Sequence, residues 1–304
     1  MSNYQLSLIM LACISVITVS GVFSMTSLAG MFSLGQAAYM SISAYLAFCL
    51  AYYLQIPIWL TIIIGLLGCA IVALVIGAPT LKLRRDYFAL MTVAFGQMVA
   101  AIVILLSEYT NASIGFSRIP KVKNLLYIIL AITVLVVFMV RNLKYSRFGR
   151  MAMALKTDEI AARSFGIDVY RLKMKIYVFA SIIAGTGGIC YGLRNRVIAP
   201  GAFDWSKSSE MQIMLFFGGT NSLTGAIVSA IGLTILPEFL KGVQVFGADL
   251  QSYKTIIYCV LILVVINFRT QGLFGETELN FNSLKKWSEK HMPKAKARNA
   301  GEDK

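Results

Sequence analysis

The chain has 304 residues, 58% of them hydrophobic and only 14% charged, with a mean hydropathy of +0.73 and a net charge of +14. Soluble domains carry about a quarter charged residues, and here the first charge of either sign is Lys82. An ordinary soluble domain is excluded; because the apolar runs are continuous rather than short and alternating, an all-α, polytopic membrane protein remains and a barrel does not.

The first run, Gln5–Leu28, has no basic residue before it. A cleavable leader needs a charged start, so this run is expected to stay as a span. Ser33–Leu54, Pro57–Leu81 and Tyr87–Ser107 follow, each with room for the ~20 residues a helix needs to cross a bilayer. A glycine-containing break, Ser27-Leu28-Ala29-Gly30 and Ser33-Leu34-Gly35-Gln36, separates the first two. A short polar loop holding Asn111 leads to a fifth run, Leu125–Val140.

Residues 141–175 form the only long polar segment between two hydrophobic runs, with nine Lys or Arg against three acids, Asp158, Glu159 and Asp168. The segment carries helix punctuation. Ser146 is placed to cap a basic helix over 147–156, and Asp158 or Thr157 to cap a second over 159–165. Gly166 suits the left-handed residue that ends it, and Asp168 can cap the helix entering the next span. Ile160, Ala161 and Phe165 give the short helix an apolar side. A rigid knob of this kind fits a groove on a soluble partner.

The remaining runs are Ile176–Gly192, Met211–Pro237 and Thr255–Phe268, and residues 276–304 form a polar, basic tail with Trp287 as its one hydrophobic anchor. The tail is expected to be disordered or to lie on lipid. Residues 1–275 form the membrane domain.

Basic residues mark the cytoplasmic side. Segments 82–86 and 141–175 and the tail from Arg269 hold twenty Lys and Arg, and the other loops hold seven. If all eight runs crossed once, segment 141–175 and the tail would fall on opposite sides, so one run must turn back. Met211–Pro237 is the favoured one, because Gly218, Gly219, Asn221, Ser222 and Gly225 interrupt its centre. Each glycine costs a helix about 1 kcal/mol relative to alanine, and Thr220, Asn221 and Ser222 offer competing local hydrogen bonds. The prediction is about seven transmembrane helices plus one re-entrant hairpin, with the N-terminus outside and the C-terminus inside. Ser33–Leu54 is the alternative broken run. Paired breaks in the two halves of a transporter point to its substrate path, and the path is expected to run past Gln36, Tyr39, Asn111, Gly218, Gly219 and Asn221.

The chemistry of an enzyme is missing. The sole histidine, His291, lies in the tail, the five cysteines stand singly in apolar runs, and no GxxxxGK phosphate loop occurs. No cofactor or metal site is expected. The basic charge belongs to membrane sidedness rather than to nucleic acid. Ion-coupled carriers place ionisable groups inside their spans, and these runs have none, although sodium held by backbone carbonyls would escape that test. A channel would leave the ordered loop unemployed.

Five stretches carry a resemblance: SLGQAAYMSISAY (33–45), LRRDYFALMTVAFGQ (83–97), SRFGRMAMALKTDEIAARSFGIDVYRLK (146–173), FFGGTNSLTGAIVSA (216–230) and FRTQGLFG (268–275). In content and order they resemble the LivM-type permease subunit of branched-chain amino acid ABC transporters. The resemblance implies inward movement of branched-chain or other neutral amino acids across a bacterial inner membrane. It implies two ATP-binding subunits, a second related permease chain and an extracytoplasmic solute-binding protein. By the same resemblance DEIAARSFGI is similar to a cytoplasmic coupling motif, with Asp158, Glu159, Ala162, Gly166 and Ile167 toward the ATP-binding subunit. Thr220 and Asn221 stand where that family has Leu-Gly, and Thr270 where it has Pro. Permeases of the same superfamily for urea, short amides or sugars remain the alternative, and an ion-coupled carrier or channel is the alternative of another class.

Overall fold

A computed structural model of the chain describes residues 3–111 and 115–239, with 244–245, 248–249, 260, 263, 272 and 273. The run Thr255–Phe268 and the tail 276–304 lie outside these residues, apart from Val260 and Leu263.

Backbone polar groups in hydrocarbon must find partners within their own segment, and the runs accordingly fold as helices. α1 (Asn3–Val22) continues through a π-helical stretch, Phe23–Leu28. Then come α2 (Gln36–Tyr53), α3 (Ile58–Thr80), α4 (Arg85–Leu105), the short α5 (Ser107–Thr110) and α6 (Leu125–Tyr145). α7 (Arg147–Thr157) and α8 (Glu159–Ser164) occupy the polar segment, and α9 (Val169–Asn195), α10 (Trp205–Gly218) and α11 (Leu223–Phe239) complete the bundle. Five helical stretches are long and apolar enough to cross a membrane: Tyr4–Leu28, Ile58–Thr80, Asp86–Leu105, Leu125–Tyr145 and Val169–Asn195. Among the described residues the only strands are a two-residue antiparallel pair, Gln244–Val245 with Ala248–Asp249.

α1, α2 and α9 make the centre. The close approach of α2 and α9 depends on small residues, as in membrane helix pairs. Gly188 lies against the Met40 backbone so tightly that a Cβ would collide with it, and at Gly185 a Cβ would stand 3.1 Å from Ser43. Ser43 Oγ donates to the Gly185 carbonyl at 2.8 Å, and the Tyr39 and Tyr177 hydroxyls meet at 2.6 Å. The outer helices show the opposite pattern. On α3, Ile63, Leu67, Ile71 and Val75 are all exposed on one stripe, and on α6 so are Val134 and Phe138. Apolar faces of this extent need lipid or another protein to cover them.

Met211–Pro237 is not one helix. α10 ends at Gly218, Gly219 adopts φ +112°, and α11 begins after Ser222, whose Oγ accepts the Gly225 N–H at 3.1 Å. The two helices run antiparallel, with Gly218 against the Gly225 backbone and the Ser229 hydroxyl donating to the Met214 carbonyl. The alternative broken run is continuous from Gln36 onward, and its interruption comes before it, at 29–35, with Gly30 at φ +67°.

Two ends of the bundle can be told apart. At one, Lys82 and Arg84 share a cleft with Glu159, Arg163 and Lys173 of the polar segment. We refer to this as the basic end. At the far end Arg194 Nε donates to the Ser7 carbonyl at 3.1 Å, the Tyr53 hydroxyl reaches the Tyr109 carbonyl at 3.1 Å, and Phe116 pairs with Ile198. The hairpin turn 219–222 sits at the basic end, because Lys144 and Lys156 both reach Asn221.

Candidate functional site

The polar segment folds as its punctuation predicts. Ser146 Oγ accepts the Gly149 N–H at 3.2 Å and starts α7. Asp158 Oδ1 accepts from the Ile160 and Ala161 N–H groups at 2.8 and 3.1 Å and starts α8. Gly166, at φ +78°, ends α8 with its N–H on the Arg163 carbonyl at 2.9 Å, and Ile167 N–H follows to the Ala162 carbonyl at 3.2 Å. Asp168 Oδ1 then accepts the Arg171 N–H at 3.1 Å and starts α9. A six-residue helix is too short to persist alone in water, so these caps and the packing beneath it hold α8 in place.

That packing separates the candidate docking residues. Ala162 is buried at 3% exposure and Ile167 is half-buried, so both support α8 from below. Ile160 at 79% and Phe165 at 86% stand clear of the protein. Two exposed apolar side chains on a capped, rigid turn form a surface suited to a partner's groove. Glu159 faces sideways, bonded to Arg163 and Lys173 at 2.8 Å each. Partial burial disfavours its charge, but the hydrogen bonds and charges of Lys173 and Arg163 together outweigh this and hold its pKa below the usual carboxylate range. The Glu159–Lys173 pair ties α8 to the first turns of α9 beside a cleft of about 500 Å³, which Leu81, Arg84, Phe88 and Tyr170 also line.

The residues expected along a substrate path do not gather in one cavity. Gln36 and Tyr39 are buried in the centre, both at 1% exposure. Gln36 Nε2 donates to Met25 Sδ at 3.1 Å, and its Oε1 has no hydrogen-bond partner among the described residues. Asn111 lies at the far end with φ +45°. Gly218 ends α10, and Gly219 and Asn221 lie in the hairpin turn at the basic end. The first break and its flanks meet α10. Gln212 of α10 donates to the Ser33 carbonyl at 2.9 Å and to Thr26 Oγ1 at 3.1 Å, and Ser208 Oγ accepts the Ala37 N–H at 2.9 Å. Ser208, Gln212, Lys144 and Lys156 were not singled out by the sequence. Their partners are more than 60 residues away, and no local pattern marks such contacts.

The sequence profile described as "Branched-chain amino acid transport system / permease component" matches residues 4–266. The chain belongs to this permease family. Among its relatives, the high-affinity branched-chain amino acid transport system permease protein LivM of Escherichia coli K12 is 26% identical over 300 residues, covering 88% of this chain and 69% of that protein. The probable LivM of Methanocaldococcus jannaschii is 24% identical over 247 residues, 74% of this chain and 71% of that protein. The xylose/arabinose import permease XylH of Sulfolobus acidocaldarius is more distant, 23% identical over 43% of this chain and 37% of its own length. Among solved structures, PsaBC from Streptococcus pneumoniae in complex with Fab superposes with a TM-score of 0.51 at 14% identity, covering 86% of this chain and 90% of that one, a likeness of fold. The permease is thus a multi-pass transport component of the inner membrane rather than a member of an enzyme family.

Proposed function

We propose that this permease is the membrane subunit of an ABC importer that carries branched-chain or similar neutral, hydrophobic amino acids inward and is driven by separate ATP-binding subunits. The observation that carries the reading is α8: a capped, positively terminated turn presenting Ile160 and Phe165 to solvent at the basic end. An ATP-binding subunit seats there. Asp158 and Gly166 set the shape of the seat, Ala162 and Ile167 support it, and Glu159 ties it to α9. The basic end is cytoplasmic. The reading has seven crossings, with α10 and α11 as a hairpin entering from outside, the N-terminus outside and the C-terminus inside. A second related permease chain covers part of the exposed apolar surface, lipid covers the rest, and an extracytoplasmic binding protein delivers the solute.

The interior suits that cargo. Among the described residues the buried side chains that carry hydroxyls or amides are Ser, Thr, Tyr and Gln, with no buried ionised group. A path of hydroxyls and amides passes a zwitterion or a neutral solute more readily than a net charge. Gln36, Tyr39, Gly218, Gly219 and Asn221 then mark the path through the two interruptions, and Asn111 its outer approach. The ligand shifts the equilibrium between outward-open and inward-open states only through its difference in affinity for them.

The test is affinity purification of the tagged permease from its native membranes, followed by mass spectrometry and by uptake of labelled leucine into vesicles. ATP-binding subunits are expected to co-purify, and uptake is expected to need ATP and a binding protein. Uphill transport by the permease alone on a sodium or proton gradient would refute the reading.

A further inference from the structure

We propose that Asn221 is a positioning residue for transport: the corner between α6 and α7 grips the hairpin turn through it and so carries movement of the docking seat to the two interrupted segments. This rests on the reading of α8 as the seat of an ATP-binding subunit.

The corner is rigid. A single residue, Ser146, separates α6 from α7, and its Oγ both donates to the Leu143 carbonyl at 2.7 Å and accepts from Gly149 N–H at 3.2 Å. Gly149 lies so close to the Leu143 and Lys144 carbonyls that a Cβ would overlap them. The two arms of this corner converge on one residue. From the end of α6, Lys144 Nζ donates to the Asn221 backbone carbonyl at 2.6 Å, and from the last turn of α7, Lys156 Nζ donates to Asn221 Oδ1 at 3.0 Å. One bond would let the turn pivot about it; two from different elements fix its direction as well as its place. Both are charge-assisted and therefore stronger than amide–carbonyl bonds.

The same lysine touches the other interruption. A Cβ on Gly30 would stand 3.1 Å from Lys156 Cγ and 3.4 Å from its Cα, so the first break packs directly on α7. Leu28, at the edge of the first break, and Thr220 of the hairpin turn line a cavity of about 450 Å³ with Lys144, Met153 and Lys156. α10 closes the circuit, because Gln212 in the hairpin holds the Ser33 carbonyl within the first break. α7 thus contacts both interruptions at one residue, and α10, which leads into the turn, contacts the first. A displacement of α8 reaches α7 through the shared residue Asp158, which ends α7 and caps α8. From α7 it passes to the Gly219–Ser222 turn through Lys156 and Asn221. Gly219, at φ +112°, gives that turn a backbone conformation that side-chain-bearing residues rarely adopt.

The experiment uses the assembled importer in vesicles, with uptake of labelled leucine and ATP hydrolysis read on the same sample. With Lys156→Met, ATP-binding subunits are expected to stay attached and hydrolysis to continue, while solute moved per ATP falls about tenfold. Lys156→Arg, which keeps a donor at that reach, is expected to restore most of it. Asn221→Ala removes the acceptor and leaves the backbone bond to Lys144, so it is expected to lower the ratio similarly. Combined with Lys156→Met it should add little further loss, because the two act as one link. An unchanged solute-to-ATP ratio in both single variants, or losses that multiply in the double variant, would overturn the proposal. If Lys156→Met does not assemble, Asn221→Ala carries the same expectation alone. A native permease that never co-purifies with ATP-binding subunits would instead remove the reading of α8 beneath it.

Discussion

Gly166 gives the sharpest test of whether α8 is a shaped seat. Its φ is +78°, and no heavy atom lies within 4 Å of the position a Cβ would take. A substitution there meets no steric obstacle, so its cost is conformational alone. For alanine in the left-handed region that cost is about 1 kcal/mol, for asparagine less, and for a β-branched valine more. About 1 kcal/mol shifts the population of an ordered turn roughly fivefold. The N–H groups of Gly166 and Ile167, bonded at 2.9 and 3.2 Å to the Arg163 and Ala162 carbonyls, report directly on that turn. Their amide hydrogen exchange in the purified permease is expected to quicken about fivefold in Gly166→Ala, less in Gly166→Asn and more in Gly166→Val. Retention of the ATP-binding subunit on affinity purification should follow the same order. Unchanged exchange in Gly166→Ala would refute the conformational account. If retention instead tracked side-chain size, with asparagine worse than alanine, Gly166 would matter as open surface rather than as a bend.

In the bundle centre, Gly188→Ala forces a Cβ onto the Met40 backbone and is expected to lower the thermal stability of the detergent-solubilised permease by about 1–3 kcal/mol. Gly201→Ala, with nothing within 4 Å, should leave it unchanged. Tyr39→Phe removes the 2.6 Å contact with the Tyr177 hydroxyl and should cost about 1 kcal/mol in the same measurement, with a smaller added loss in the double Phe variant. Glu159 has a pKa below its unfolded value, so its bonds to Lys173 and Arg163 stabilise α8 above the unfolded pKa of about 4.3, and this is lost as pH falls through the lowered folded value. Hydrogen exchange of α8 should quicken on acidification through that window, and Glu159→Gln should remove most of the pH dependence.

The polar segment was legible residue by residue, because capping is a local matter. Ser146, Asp158 and Asp168 each accept N–H groups within three residues of themselves, and Gly166 takes its left-handed bend from its own lack of a Cβ. Second-helix bounds of 159–165 against the observed Glu159–Ser164 differ only where the last turn tightens into Phe165. The hairpin was legible for the same reason: glycines and a Thr-Asn-Ser run interrupt a helix whatever surrounds it. The candidate path was less so. Asn111 shares the polarity of Gln36 and Asn221 yet stands at the opposite end of the bundle. Ala162 lies in the motif beside Ile160, but a helix of 3.6 residues per turn puts it on the inner side.

Composition and charge order alone determined that this chain is a helical membrane protein and which end of the bundle is basic, and local residues determined where the helices of the polar segment start and stop and where the run Met211–Pro237 breaks. These follow from the cost of bare backbone in lipid and from hydrogen bonds a few residues long. Only the tertiary structure decided that the first break packs on α10, that Lys144 and Lys156 close on Asn221, and that Ile160 and Phe165 rather than Ala162 face outward. Contacts between residues 65 to 186 positions apart depend on how helices pack, and packing is a property of the whole bundle that no stretch of its sequence contains.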